Sequence, residues 1–276
     1  MQLRPVHMGG QAVVQCAYDD TGNQVAVKQA RRDVGSADDV KLELEAEMIE
    51  GLRDRFPHLH DVVLPVLDRG NHEGRRVLVM PWMERRMDEA ADLSGFGVRL
   101  AMAAAFARSV ARMQIDVLGR PTGIVHRDLK PSNAFVQRRD GRLHVWLSDF
   151  GGAWTRRAGR PGPAEDLHTA GYAPVDQWMM RHTGGVDPSW DTYAAAVSVF
   201  RVLTGQPLGA VQTNAQHISE RGKQWLRGST PGRSPDPFYR LVHIHRMRTL
   251  LHADRANLEQ CVAEAVDELA LSRKTQ

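Results

Sequence analysis

Ten consecutive residues, from Ile124 to Asn133, constrain this chain more than any other stretch. They read Ile-Val-His-Arg-Asp-Leu-Lys-Pro-Ser-Asn. An acid (Asp128), a cation two residues on (Lys130) and a carboxamide (Asn133) fall within one short segment. Sixteen positions after Asn133 comes Asp149-Phe150-Gly151. The interval predicts a hairpin. Ala134 to Gln137 is strand-like, Arg139-Asp140-Gly141 is a turn signal, and Leu143 to Leu147 is a second strand. An antiparallel hairpin returns the chain to its start, so Asn133 and Asp149 meet at its open end.

The rest of the chain divides into strands, then helices. Val13 to Ala17 and Val25 to Val27 flank a turn at Asp19 to Asn23 and predict a hairpin that ends at Lys28. Ser36 to Leu52 predicts a helix: Ser36 can cap it, Asp38 and Asp39 suit its first turn, and Leu42, Ala46, Ile49 and Leu52 recur at a helical period. Val62 to Leu67 and Val77 to Met80 read as further strands. Leu93 to Leu118, alanine-rich and free of proline, reads as a long helix. Asp191 opens another, with Gly205 as its stop. Helix candidates close the chain at 240–251 and 258–271. The histidines of the first, His243, His245 and His252, have no carboxylate or cysteine pattern beside them and read as part of a basic, partly solvated helix.

The run around Asp128 and the Asp-Phe-Gly behind the hairpin resemble the catalytic loop and metal-binding segment of eukaryotic-type protein kinases, and Lys130 favours the Ser/Thr branch. The resemblance implies an α+β, two-lobed fold. Residues 1–83 would form a small antiparallel sheet with one helix, and residues 84–276 a larger, mainly helical lobe. It implies ATP and Mg²⁺ as cofactors, with Mn²⁺ as an alternative cation, and a protein substrate, the chain itself among the candidates. In that pattern Asp128 accepts the substrate's proton and Lys130 steadies the transferred phosphoryl group. Asn133 and Asp149 each offer the metal one oxygen. Lys28 ends a Val-Ala-Val-Lys strand similar to the one whose lysine holds the phosphates, and Glu45 is its expected partner, with Glu47 the alternative.

The same resemblance assigns the nucleotide's surroundings. Gly9 and Gly10 stand where a glycine-rich loop covers the phosphates, although His7 and Ala12 occupy the other two expected glycine places. Val14 and Ala26 lie on the nucleotide side of the first hairpin. Met80, Pro81 and Met83 form the hinge: proline has a carbonyl but no N–H, so Pro81 is the acceptor and Met83 the donor toward adenine. Phe135 is the apolar floor under adenine, ordinary core, or both. His126 is expected to hold the loop rather than react. Thr169 fits a threonine that contacts the catalytic aspartate and lysine, and Thr155 and Thr169 are the candidate phosphorylation sites of the segment after Gly151. Asp176 is expected to pair with Arg255, and Asp191 to accept from the catalytic-loop backbone.

Composition narrows the alternatives. The net charge is +3, and only five of the 36 basic residues are lysines, spread along the chain. No patch for nucleic acid follows from that. Two cysteines, Cys16 and Cys261, have neither disulfide nor ligand spacing, so a reduced, cytoplasmic setting is expected. The opening Met-Gln-Leu-Arg-Pro is not that of a signal peptide, and no apolar run is long enough to cross a bilayer. Two other functions compete with protein phosphorylation. One is a nucleotide-binding scaffold without catalysis, favoured by the incomplete glycine loop. The other is a small-molecule kinase of the same fold, disfavoured by Lys130 and Thr169.

Overall fold

The computed structural model describes residues 5–8, 12–31, 36–139, 141–155, 169, 171–173, 177 and 186–204. Gly9, Gly10, Asp176, Gly205, Arg255 and the expected helices at 240–251 and 258–271 lie outside the described residues.

The smaller layer is a five-stranded antiparallel sheet. Its strands are β1 (Pro5–Met8), β2 (Ala12–Tyr18), β3 (Gln24–Ala30), β4 (Asp68–His72) and β5 (Arg75–Pro81), in the order β1-β2-β3-β5-β4. Asp19 sets the β2–β3 turn, its carboxylate accepting from the backbone N–H of Thr21 at 2.9 Å and of Asn23 at 2.8 Å. The register pairs Val14 with Lys28, Cys16 with Ala26, and Ala26 with Met80. Directly paired residues share a face, so Val14, Ala26, Lys28 and Met80 stand on one side of the sheet.

Helix α1 (Ala37–Arg55) crosses that side. Ser36 caps it, its Oγ accepting from Asp39 N–H, and Asp38 and Asp39 occupy the first turn. Its buried face carries Leu42, Glu45, Ala46, Ile49 and Leu52, the periodicity that the sequence predicts. Leu42 and Ala46 pack with Ala30 and Leu78 of the sheet. Ile49 and Leu52 belong to the main core instead, with Leu59, Val62 and Phe106. α1 therefore spans both cores.

The stretch from Val62 to Leu67 is not a strand of this sheet, contrary to expectation. Val62, Val63 and Leu64 are buried and run beside Leu147, with Leu64 N–H donating to Leu147 O at 2.9 Å and Leu147 N–H to Val62 O at 2.8 Å. An apolar run marks burial, and here the burial belongs to a crossing segment in which Val63 bridges Leu147 in parallel. The strand that follows, β4, lies at the edge and is mostly exposed, so it lacks an apolar alternation.

The larger part follows β5. It contains β6 (Arg85–Arg86), α2 (Met87–Asp92), α3 (Phe96–Gln114), β7 (Ile124–Val125), β8 (Ala134–Arg139), β9 (Arg142–Leu147), β10 (Trp154–Thr155) and α4 (Ser189–Thr204). β6, β8 and β9 form one sheet and β7 pairs with β10. The expected helix Leu93 to Leu118 is shorter at both ends. Ser94 closes α2 through its N–H to Ala91 O and its hydroxyl to Ala90 O. Thr122 Oγ donates to Met113 O at the other end of α3. Leu93, Val117 and Leu118 are exposed, so no apolar contact extends the helix over them. Met102, Phe106, Val110 and Met113 are its buried stripe. Burying each such side chain contributes about 1.5–3 kcal/mol.

Candidate active site

The catalytic loop is held from behind before any reactive group is placed. Asp191, at the start of α4 and fully buried, accepts His126 N–H at 2.6 Å and Arg127 N–H at 2.9 Å. Burial pushes its carboxyl above the usual range, against those two hydrogen bonds, which favour the charged form. His126 is buried as well. Its Nδ1 accepts Asp128 N–H at 3.3 Å, so the proton sits on Nε2, which donates to Ser148 O at 2.9 Å. The ring rests 4.5 Å from that of Phe150. His126 thus links the loop to the segment after β9. Arg127 takes a left-handed φ of 71°, fixed by Gln177 Nε2 donating to its carbonyl at 2.6 Å. Its Nη1 donates to Gly152 O at 3.2 Å.

Around Asp128 every acceptor atom has a donor. Lys130 Nζ donates to Oδ2 at 2.7 Å, and Asn133 Nδ2 to the same oxygen at 3.0 Å. The Thr169 hydroxyl donates to Oδ1 at 2.7 Å and accepts from Lys130 Nζ at 2.6 Å. Asp128, Lys130 and Thr169 so form a closed ring. Asn133 Nδ2 also reaches Asp128 O at 2.9 Å. With its nitrogen committed there, its side-chain oxygen is the atom left for a cation.

β8 and β9 pair from Ala134–Leu147 to Arg139–Arg142, so the expected hairpin is present, one to two residues longer than the sequence suggests. Ser148 closes its open end: its N–H and its hydroxyl each lie 3.0 Å from Asn133 O. Asp149 follows in a left-handed conformation, φ 65° and ψ 56°. Such backbone is costly for a non-glycine residue and turns the carboxylate toward the sheet of the smaller layer. There Lys28 Nζ lies 2.6 Å from Glu45 Oε2 and 3.1 Å from Asp149 Oδ1.

Three elements thus converge on one ammonium. Burial works against its charge, but Asp149 and Glu45 outweigh it and hold Lys28 above its usual pKa. The same ammonium holds Asp149, whose side chain is 45% exposed, below the usual carboxylate range. Glu45 goes the other way: burial pushes it up, and Lys28 only partly offsets this. Its Oε1 is buried without a hydrogen-bond partner. Glu45, not Glu47, is the buried glutamate of α1.

The residues expected on the nucleotide side fall on two surfaces. Val14, Ala26 and Met80 share the inner face of the small sheet, and Pro81 ends β5 opposite Val25. Met83 and Phe135 pack against the main core, Phe135 paired with Arg86 on one side and Trp146 on the other. Gly9 and Gly10 are outside the described residues. The oxygens of Asn133 and Asp149 suit a hard divalent cation, which takes few protein ligands and keeps its waters. Among the described residues no group of three or more His, Cys, Asp or Glu is poised for a metal, so a softer, ligand-rich site has no candidate there.

Sequence reasoning missed Gln177, whose amide fixes Arg127, and Ser148. No spacing rule marks either. It also missed the tie between Asp61 on the turn after α1 and Arg112 on α3.

Residues 7–257 match the protein kinase domain family. The chain belongs to that family. Its fold is the two-lobed kinase fold, and protein kinases as a family use ATP with a divalent cation and act on proteins. The kinase domain is similar to the serine/threonine-protein kinase PkaA of Streptomyces coelicolor, 28% identical over 80% of this chain and 39% of that protein. It is also similar to the DNA damage-responsive serine/threonine-protein kinase RqkA of Deinococcus radiodurans, 31% identical over 72% of this chain and 29% of that protein. The chain therefore spans about two-fifths or less of the length of these relatives. Among the described residues no helix of the kinase domain is long and apolar enough to cross a membrane.

Proposed function

We propose that this chain is an ATP-dependent protein kinase that phosphorylates serine or threonine hydroxyls of protein substrates, with itself among them. The observation that carries the reading is the Lys28 ammonium held between Glu45 and Asp149, in a chain that also holds both oxygens of Asp128 oriented by Lys130 and Thr169. Bound ATP supplies the γ-phosphoryl group, and Mg²⁺ or Mn²⁺ neutralises its charge.

The chain's own residues do the rest. Asp128 accepts the hydroxyl proton of the substrate. Lys130, already beside it, donates to the oxygens on which charge develops. Thr169 keeps both in register. Lys28, oriented by Glu45, binds phosphate oxygens, and Asn133 and Asp149 supply one metal oxygen each. Val14, Ala26, Met80 and Phe135 enclose the adenine, with the backbone of Pro81 and Met83 as its polar contacts. Gly9 and Gly10, by the sequence resemblance alone, are assigned to the phosphates. We read residues 1–83 and 84–276 as the two lobes of one catalytic unit. We place its action in the cytoplasm, where thiols stay reduced.

The test is transfer of radiolabelled phosphate from ATP to a generic protein with Mg²⁺, followed by phosphoamino-acid identification. Label on serine or threonine supports the reading. A folded preparation that binds ATP and transfers nothing supports a scaffold instead, and label on sugars, choline or aminoglycosides but not on protein supports a small-molecule kinase.

A further inference from the structure

Glu45 sits in α1 between the two cores that this helix spans, so its position depends on how the end of α1 is fixed. After Phe56 the chain enters a tight turn at Pro57–Leu59. α1 grips this turn itself. Arg53 Nη1 donates to His60 O at 2.9 Å and Val63 O at 2.7 Å, and His60 Nε2 donates back to Arg53 O at 2.9 Å.

The larger lobe grips the same turn from the other side. Arg112, in the last turn of α3, donates to both oxygens of Asp61, Nη1 to Oδ2 at 2.9 Å and Nη2 to Oδ1 at 2.6 Å. Its Nη2 also donates to His58 O at 2.7 Å, and His58 Nε2 donates to Arg112 O at 3.0 Å. A forked guanidinium that meets a carboxylate and a carbonyl together fixes direction as well as distance. The Arg112 side chain is 26% exposed and that of Asp61 44%, so the hold rests on the geometry of the fork and its carbonyl contact rather than on burial.

We propose that Arg112 is a positioning residue for the Lys28–Glu45 pair: it clamps the turn after α1 to α3 and so sets where α1 presents Glu45. Arg112 touches none of the catalytic groups. Its effect travels through a rigid path, from α3 to the turn and from the turn through Arg53 to α1. The rate arm of the test rests on the proposed kinase activity, and the structural arm does not.

The test pairs hydrogen exchange with a double-mutant cycle on the whole chain. Arg112→Met keeps the length of the side chain and removes the fork. Amides of α1 should exchange about tenfold faster in it, with the β8–β9 hairpin unchanged. Arg120→Gln, which removes an exposed pair with Asp116, serves as the control and should leave α1 as it was. In kcat/KM, Arg112→Met and Glu45→Gln should be non-additive, the double variant losing little more than Glu45→Gln alone. A merely structural role would add to the loss instead. Unchanged α1 exchange in Arg112→Met, or full additivity, overturns the proposal. If Arg112→Met does not fold, Asp61→Asn carries the same two measurements. If the wild type binds ATP but transfers no phosphate, the kinase reading fails, and exchange in α1 alone decides the clamp.

Discussion

The hydroxyl of Thr169 donates to Asp128 Oδ1 at 2.7 Å while it accepts from Lys130 Nζ at 2.6 Å. One side chain thereby fixes both the distance and the facing of an acid and a cation two residues apart. Replacing it leaves the two to collapse onto each other, since Lys130 already reaches Oδ2. Thr169→Ala should lower kcat about ten- to a hundredfold with the KM for ATP little changed, because the loss falls on orientation in the transition state. Thr169→Ser should retain most of the rate. Steady-state kinetics with ATP and a protein substrate check both.

Glu45 gives the pH dependence of nucleotide binding. Burial holds its carboxyl above the ordinary glutamate range, so it takes up a proton at a higher pH than a free glutamate, whose pKa is about 4.3. Protonation releases Lys28 from its orienting partner. ATP affinity should therefore fall on the acid side, starting above the range in which free glutamate titrates. In Glu45→Gln affinity should be low throughout and lack that limb. Titration calorimetry across pH measures it.

Asp149 predicts a stability effect of the opposite sense. The Lys28 ammonium holds its folded-state pKa down, so its contribution is complete above the unfolded value of about 3.9 and is lost as pH falls through the lower folded value. The melting temperature of wild type should exceed that of Asp149→Asn by a constant margin near neutrality. The margin should close below about pH 4. A margin that persists in strong acid would assign the effect to packing rather than to charge.

Asp191 is structural. Asp191→Ala leaves two buried N–H groups, of His126 and Arg127, without an acceptor. Each orphaned donor costs about 1–3 kcal/mol, so the unfolding free energy should drop by about 2–6 kcal/mol. Denaturant unfolding followed by tryptophan fluorescence gives the value.

What could be read from residues alone was local. The hairpin from Ala134 to Leu147 was legible because its strands alternate and its turn carries Asp-Gly, and α1 because a serine cap precedes a helical period. Glu45 was legible only through the family resemblance, which left Glu47 as the alternative; burial on α1 decides for Glu45. The run at Val62 misled because a buried segment with a single bridge, Val63 to Leu147, and a buried strand look alike in a short apolar run. Leu93 and Leu118 misled because an apolar residue at a helix end does not show where contact stops. The left-handed backbone of Arg127 and Asp149 carries no residue signal, as neither is glycine; both conformations are imposed by partners far along the chain. The Arg112 fork on Asp61 joins residues 51 positions apart and matches no motif.

Phosphate transfer by wild type against Asp128→Asn tests the central claim most directly. The substitution keeps the size of the side chain and removes its ability to accept a proton. The wild type should label protein serine or threonine in the presence of ATP and Mg²⁺, and Asp128→Asn, folded and still binding ATP, should do so about a thousandfold more slowly. Equal labelling by the two, or none from a folded wild type that binds ATP, would contradict the account.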